Sequence, residues 1–396
     1  MTDLTMGASP ARVAFYNNPK VRGLLYQVAL CAVIAFLVYG AATNAIDHLN
    51  KAHIASGFGF WNTTAGFDIS QTLIPYDSQV STYGRAFWVG LLNTLLVAGL
   101  GIIFATIIGF VIGISRLSKN WLLSKFATGY VETIRNIPLL LQLLFWYNAV
   151  LKALPEARDS IVIPGGAFLN NRGLFLPQPQ FLAGFGAVVA ASGIGLVGAV
   201  GFTIWARRRQ ERTGERAPVL WTVLALIVGL PLVVFALRGF PLSFDYPQAG
   251  RFNIQGGVEV LPEFAALLFG LSIYTGAFIA EVVRAGILAV SRGQTEAAYS
   301  LGMRPGPTLR LIVVPQAMRV IVPPLTSQYL NLTKNSTLAV AIGYPDLVQV
   351  FTGTVLNQTG QAVEVVAITM LVYLTISLTT SLAMNIYNRR VALVER

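Results

Sequence analysis

Eight apolar stretches, each long enough to cross a bilayer, constrain this chain more than any other feature of its sequence. They fall at about 24–45, 88–115, 129–150, 182–205, 219–237, 261–290, 321–343 and 365–387. A membrane's hydrocarbon core is about 30 Å thick, and roughly 20 apolar residues in helical form cross it. Composition agrees with that reading: 55% of residues are hydrophobic, only 11% are charged, and mean hydropathy is +0.64. The 396 residues would otherwise allow two or three soluble domains; here they read as an all-α polytopic membrane protein of about eight transmembrane helices. The formal charge of +11 does not point to nucleic acid, because the basic residues sit in short loops beside apolar spans. Topology and contact with anionic membrane lipids account for them there. The single cysteine, Cys31, lies within the first apolar run, so an intrachain disulfide or a cysteine metal cluster is excluded. His48 and His53 have no partnering Cys pattern and read as solvent-facing residues, not metal ligands.

Charge placement sets the expected orientation. The first run follows a polar segment with Arg12, Lys20 and Arg22, exceeds a signal-peptide core in length and lacks a small-x-small cleavage site. It reads as a retained span with the N-terminus inside. Arg116, Lys119 and Lys125, the run Arg207-Arg208-Arg209-Gln210-Glu211-Arg212, then Arg292, Arg304, Arg310 and Arg319, and finally Arg389 and Arg390 mark cytoplasmic segments. The stretches 46–86, 151–180, 239–260 and the one before 365 are then exterior loops, and both termini are cytoplasmic. Gly109-x-x-x-Gly113, and Ala187, Ala191, Gly195 and Ala199 at every fourth position, read as small-residue stripes for close helix packing.

The loop between the sixth and seventh runs is the most specific feature. Gln294 to Leu301 predicts about two turns of helix, Ala297 and Ala298 keep one face flat, and Gly302 falls where a left-handed cap would end it. Such a helix suits docking to another protein. Glu296-Ala297-Ala298, Gly302 and then Ile312-x-Val314-Pro315 resemble the Glu-Ala-Ala loop of permease subunits of binding-protein-dependent ABC importers, with Val314 in place of the usual Leu. The resemblance implies a coupling helix that inserts into a cleft of an ABC ATPase subunit, with Glu296, Ala297, Ala298, Gly302 and Pro315 as coupling residues. Glu132-x-x-Arg135-Asn136-Ile137-Pro138-Leu139-Leu140-Leu141-Gln142 resembles the permeases for polar amino acids, whose commoner form reads Arg-Gly-Thr-Pro-Leu-Leu. Ser272 to Gly286 resembles them too. Glu132 and Arg135 read either as a helix-end ion pair at i, i+3 or as part of a gate. The family's type I core of five helices would occupy 88–150 and 261–387. An N-terminal segment, first helix and exterior loop (1–87), an inserted two-helix hairpin with its flanking loops (151–260) and a cytoplasmic tail (388–396) would elaborate it.

The chain has no Gly-x-x-x-x-Gly-Lys-Ser/Thr phosphate loop, so it is not expected to bind ATP or act as an enzyme, and needs no cofactor of its own. The resemblance implies a permease subunit importing L-amino acids across a bacterial inner membrane. It implies ATP bound by separate ABC ATPase subunits, a second permease subunit, identical or not, and a periplasmic amino-acid-binding protein. An ion-coupled secondary transporter would use intramembrane carboxylates or broken helices at the midplane, but Glu132, Glu281 and Glu364 fall near helix ends. A membrane-embedded hydrolase would need a histidine within a span, and there is none. The seventh run carries Ser327, Gln328, Asn331, Lys334 and Asn335 within an arc of roughly 120°. Facing lipid, the lysine alone would cost about 2.5 kcal/mol or more, so the stripe is expected to face an interior. It could supply interhelical hydrogen bonds within a permease pair. It could instead line a watery cavity in which Gln328 and Asn331 hold the polar parts of an amino acid and Lys334 attracts its carboxylate. Lys334-Asn335-Ser336-Thr337-Leu338 resembles the family's Lys-Asp-Thr-Ser-Leu segment.

Overall fold

A computed structural model describes residues 19–51, 56–215, 217–250 and 254–391. The N-terminal segment before Pro19, His53 and the last five residues of the tail lie outside the described residues. Among the described residues, seven helices are long and apolar enough to cross a membrane, or eight if one bent pair is a single span. In chain order they are α1 (Pro19–Lys51), α2 (Tyr83–Ser115), the bent pair α3 (Trp121–Asn136) and α4 (Leu139–Leu151), α5 (Phe185–Thr213), α6 (Val219–Leu237) and α7 (Pro262–Leu288). After these come the short α8 (Arg292–Ser300), α9 (Pro305–Ile342), a partly buried helical segment α10 (349–359) and α11 (Ala362–Val391). The helical membrane class holds.

The body of the bundle is α2 laid along α7, with α3, α4 and α9 against the pair and α11 packed on α9 and α10. Glycine makes the approach possible. A Cβ on Gly109 would overlap the Ile279 side chain, one on Gly113 would lie 2.7 Å from the Ala280 carbonyl, and one on Gly276 would lie 2.9 Å from Ile108 Cγ2. Val97, Ala105, Leu143, Leu271, Ile279 and Ile321 fill the core beside this contact. Small residues close a second contact in the hairpin: Ala191, Gly195 and Ala199 are buried, and a Cβ on Gly195 would strike the Leu226 carbonyl of α6. The basic run at 207–212 is not a loop, as the sequence suggested, but the last turns of α5, which ends at the left-handed Gly214. By contrast, the apolar stretch of α1 buries nothing within the chain, with Leu24, Phe36 and Tyr39 all exposed.

Three expected loops are structured. Segments 151–180 and 239–260 carry short strands: β1 (Ile161–Ile163), β2 (Ala167–Asn170), β3 (Gly173–Leu176), β4 (Gln178–Phe181), β5 (Leu242–Asp245), β6 (Gln248–Ala249), β7 (Ile254–Gln255) and β8 (Val258–Val260). They pair antiparallel as β1-β2-β3-β8, β4-β5 and β6-β7. The α5–α6 hairpin returns the chain to its starting side and sets Phe181 opposite Leu242 and Leu176 opposite Val258. The stretch after α9 is buried, not a surface loop: Phe60, Tyr83, Phe87, Leu347, Phe351 and Val355 form a second core. Asn93 anchors it from α2, its Nδ2 donating to the carbonyls of Gln71 and Pro345 at 2.9 Å each, and the Leu347 N–H donates to Thr94 Oγ1 at 3.0 Å. Asp346, fully buried, accepts from the Gln349 N–H at 2.8 Å and from the Tyr373 hydroxyl at 3.3 Å.

Two outcomes follow from this packing. Gly113→Leu is expected to cost about 1–3 kcal/mol by overpacking and to lower the yield of folded chain extracted from membranes. Gly129→Ala, whose added Cβ meets nothing within 4 Å, should leave that yield unchanged. Burial pushes the Asp346 carboxyl from 3.8 up to about 7, opposed by the amides of Gln349 and Val348 and the Tyr373 hydroxyl. The folded state then holds this proton more tightly than the unfolded one. Its contribution is therefore full below the ordinary carboxylate range and is lost as pH rises towards neutrality. Thermal melts of the detergent-solubilised protein should show that loss, and Asp346→Asn should flatten it.

Candidate functional site

The loop after α7 forms the expected short helix. Gly302 takes φ +74°, its N–H donates to the Tyr299 carbonyl at 2.8 Å, and the Met303 N–H reaches back to the Ala298 carbonyl at 3.1 Å. These two bonds make a Schellman cap, which requires a left-handed residue after the helix. Gly302 is needed for that backbone conformation and not for space, since a Cβ there meets nothing within 4 Å. The flat face is divided, because adjacent helical residues point about 100° apart. Ala298 is buried, whereas Ala297 and Glu296 are exposed beside Tyr299 and Leu301, the last 83% exposed. The outward face is thus one acidic residue among apolar groups. Gln316 Nε2 donates to Gln294 Oε1 at 3.3 Å, tying α8 to α9. Pro315 lies in α9 and not in the loop, just after a π-helical turn at Leu309–Val313. A proline ring clashes with the carbonyl four residues back, here that of Leu311, and the wider turn accommodates it.

The polar stripe of α9 lies on the side opposite its buried face. Ile321, Val322, Leu325, Leu332 and Thr333 pack into the chain, while Ser327, Asn331 and Lys334 are exposed and Gln328 and Asn335 half-buried. The expected interior is therefore not this chain's own core; the stripe faces outward from the single chain. The Tyr329 hydroxyl, beside it, is 2.9 Å from Thr106 Oγ1 on α2 and holds the helix rotation.

The third expected span is bent by 105° between α3 and α4. Ile137 is extended, as a residue before proline tends to be, and Pro138 starts the new helix. Gln142 Nε2 donates to the carbonyls of Ile134 and Ile137, at 2.9 Å each, which the break leaves without helical partners. Of the two readings of Glu132 and Arg135, the mutual ion pair is absent among the described residues. Arg135 instead lies 3.8 Å from Glu281 on α7, to which Arg116, at the end of α2, and Arg284 also pair. Sequence reading missed this convergence because the partners are 116, 135 and 281 along the chain, and only the i, i+3 pair Glu281–Arg284 is local.

Residues 217–393 match the family described as binding-protein-dependent transport system inner membrane component. The general L-amino acid transport system permease protein AapQ of Rhizobium johnstonii is 54% identical over 97% of this chain and 96% of its own length. The chain belongs to this permease family. The permease is also 53% identical to the permease protein YhdX of Escherichia coli (strain K12), over 96% of this chain and 97% of that one. It is 41% identical to the glutamate/glutamine/aspartate/asparagine transport system permease protein BztB of Rhodobacter capsulatus, over 99% and 100%. It is accordingly a multi-pass membrane protein of an ABC transporter family. For this permease, Glu296→Lys and Gly302→Val are expected to leave membrane insertion intact while lowering uptake at least about tenfold. Uptake assays beside immunoblots of the membrane fraction check this.

Proposed function

We propose that the chain is the permease subunit of an importer for L-amino acids, working as one of a pair, identical or not. ATP is bound and hydrolysed on separate ABC subunits, and a periplasmic binding protein delivers the substrate. The observation that carries this reading is end-to-end similarity, at 54% identity, to a permease whose name specifies general L-amino acid transport. The exposed face of α8, Glu296 and Ala297 beside Tyr299 and Leu301, supports its role as the coupling helix. A carboxylate there can pair with a basic group on the ATPase, and the apolar neighbours can fill a cleft. With that face cytoplasmic, both termini are cytoplasmic and the β-sheets are periplasmic, in the inner membrane of a bacterium.

The outward stripe of α9 supports a substrate path at the centre of the pair. In a paired assembly an outward face of one chain becomes an interior wall, which removes the cost of setting Lys334 against lipid. Gln328 and Asn331 then hold the polar groups of the amino acid and Lys334 draws its carboxylate, with Asn335 alongside. Proteoliposomes with the native partners should take up amino acids when supplied with ATP and binding protein, and an imposed ion gradient without ATP should drive none. Gln328→Leu and Asn331→Leu should each reduce uptake about tenfold while the complex assembles as before. Wild-type rates across the substrate range in both variants would remove the stripe from the path.

A further inference from the structure

Between α2, α3 and α7 lies a half-open cavity of about 340 Å³, lined by Arg116, Glu132, Arg135, Asn136, Phe278 and Glu281. Both oxygens of Glu281 are already engaged. Arg116 pairs with Oε2, and Arg284 donates to Oε1 from Nη2 at 2.6 Å and from Nε at 3.2 Å. Arg135 is left with a 3.8 Å approach, too long for a hydrogen bond, and lies with its guanidinium 5.0 Å from the centre of the Phe278 ring. The Nε of Arg116 is buried and has no partner. A buried donor without an acceptor costs about 1–3 kcal/mol, so its retention calls for a reason. Arg135 thus keeps donors that the protein does not fill; Arg116 lines the same cavity, although its Nε is shut off from it. They stand in a cavity of small-molecule size, with the Glu132 carboxylate one turn before Arg135 on the same wall.

We propose that this cavity is a second amino-acid site, distinct from the α9 stripe, in which Arg135 and Arg116 hold the α-carboxylate and Glu132 meets the α-ammonium group. The fork of a guanidinium matches a carboxylate in two parallel hydrogen bonds, and an acid on the same wall selects a zwitterion over a simple anion. The site lies where α7 approaches α8: Glu281 precedes Arg292 by eleven residues, about three helical turns. Arg116 belongs to the end of α2, Arg135 to the end of α3 at its 105° break. A ligand here bridges three helices next to the coupling helix. The assignment rests on the amino-acid reading above.

The test uses the purified permease–ATPase complex in phosphatidylcholine nanodiscs, without binding protein and in the Gln328→Leu background, so that the stripe is weakened. Tritiated L-glutamine is the probe. L-glutaminamide, which lacks the carboxylate, and N-acetyl-L-glutamine, which lacks the ammonium group, are the competitors. Saturable binding is expected, with both competitors at least about tenfold weaker than unlabelled glutamine. Arg135→Gln should weaken glutamine by about tenfold or more, with Arg135→Lys between the two. Glu132→Gln, at an exposed position where folding is not at risk, should let N-acetyl-L-glutamine compete as well as glutamine. Discrimination that is unchanged in Glu132→Gln overturns the proposal, as does full affinity in Arg135→Gln. Displacement of the probe by phosphatidylethanolamine or phosphatidylglycerol added to the disc would overturn the proposal and reassign the cavity to a lipid headgroup. ATP-driven uptake by the wild-type complex is measured in parallel. Uptake without the Arg135 and Glu132 effects overturns the site alone, whereas no amino-acid uptake overturns the reading beneath it.

Discussion

The contact on which the bundle depends is the close approach of α2 to α7. Between membrane helices there is little hydrophobic gain from pairing, since lipid is as apolar as the side chains, and association rests on packing and interhelical hydrogen bonds. Gly109 and Gly113 on one side and Gly276 on the other let these backbones meet at distances that a single added methyl would prevent. Other features are referred to this pair: Arg116 at the foot of α2 reaches Glu281 on α7, and Tyr130 of α3 donates to the Ile273 carbonyl at 2.6 Å. Both the position of α3 and the direction in which α8 leaves α7 follow from it.

Polar groups then fix what packing leaves free. At one end of α2, Asn93 and Thr94 hold the segment after α9 by hydrogen bonds to its backbone, and Asp346 caps the helix that follows. At the other end, Glu281 gathers arginines from α2, α3 and α7. An unpaired charge at either place would be costly in a low-dielectric surrounding, so each cluster specifies one arrangement of its helices. The Pro138 break lies beside the Glu281 cluster, three residues after Arg135, where the helical ladder is already interrupted.

The single chain is asymmetric in what it buries. α7 is packed on most sides, while α1 buries nothing in its apolar stretch and α9 shows its polar stripe outward. Apolar surface such as that of α1 is at home in lipid. A row containing Lys334, Asn331 and Ser327 is not, and its exposure fits a subunit whose polar face is closed by another.

The sequence by itself determined the membrane class, the positions of the long helices and the short helix ended by Gly302. Each rests on local physics: hydropathy summed along a run, helical periodicity and the φ that glycine tolerates. It also marked Gly109, Gly113 and Gly195 as packing residues, because four-residue spacing places them on one face whatever the partner. It could not find the antiparallel sheets, whose strands are two to four residues long and whose pairing of β3 with β8 joins residues more than eighty apart. It left two readings open at Glu132 and Arg135, since an i, i+3 spacing permits a pair but a bend at Pro138 and a carboxylate on α7 decide against it. Nor could it say that the segment after α9 is buried or which way the α9 stripe faces. Those depend on how helices far apart in sequence rotate against one another, and only the tertiary structure fixes that rotation.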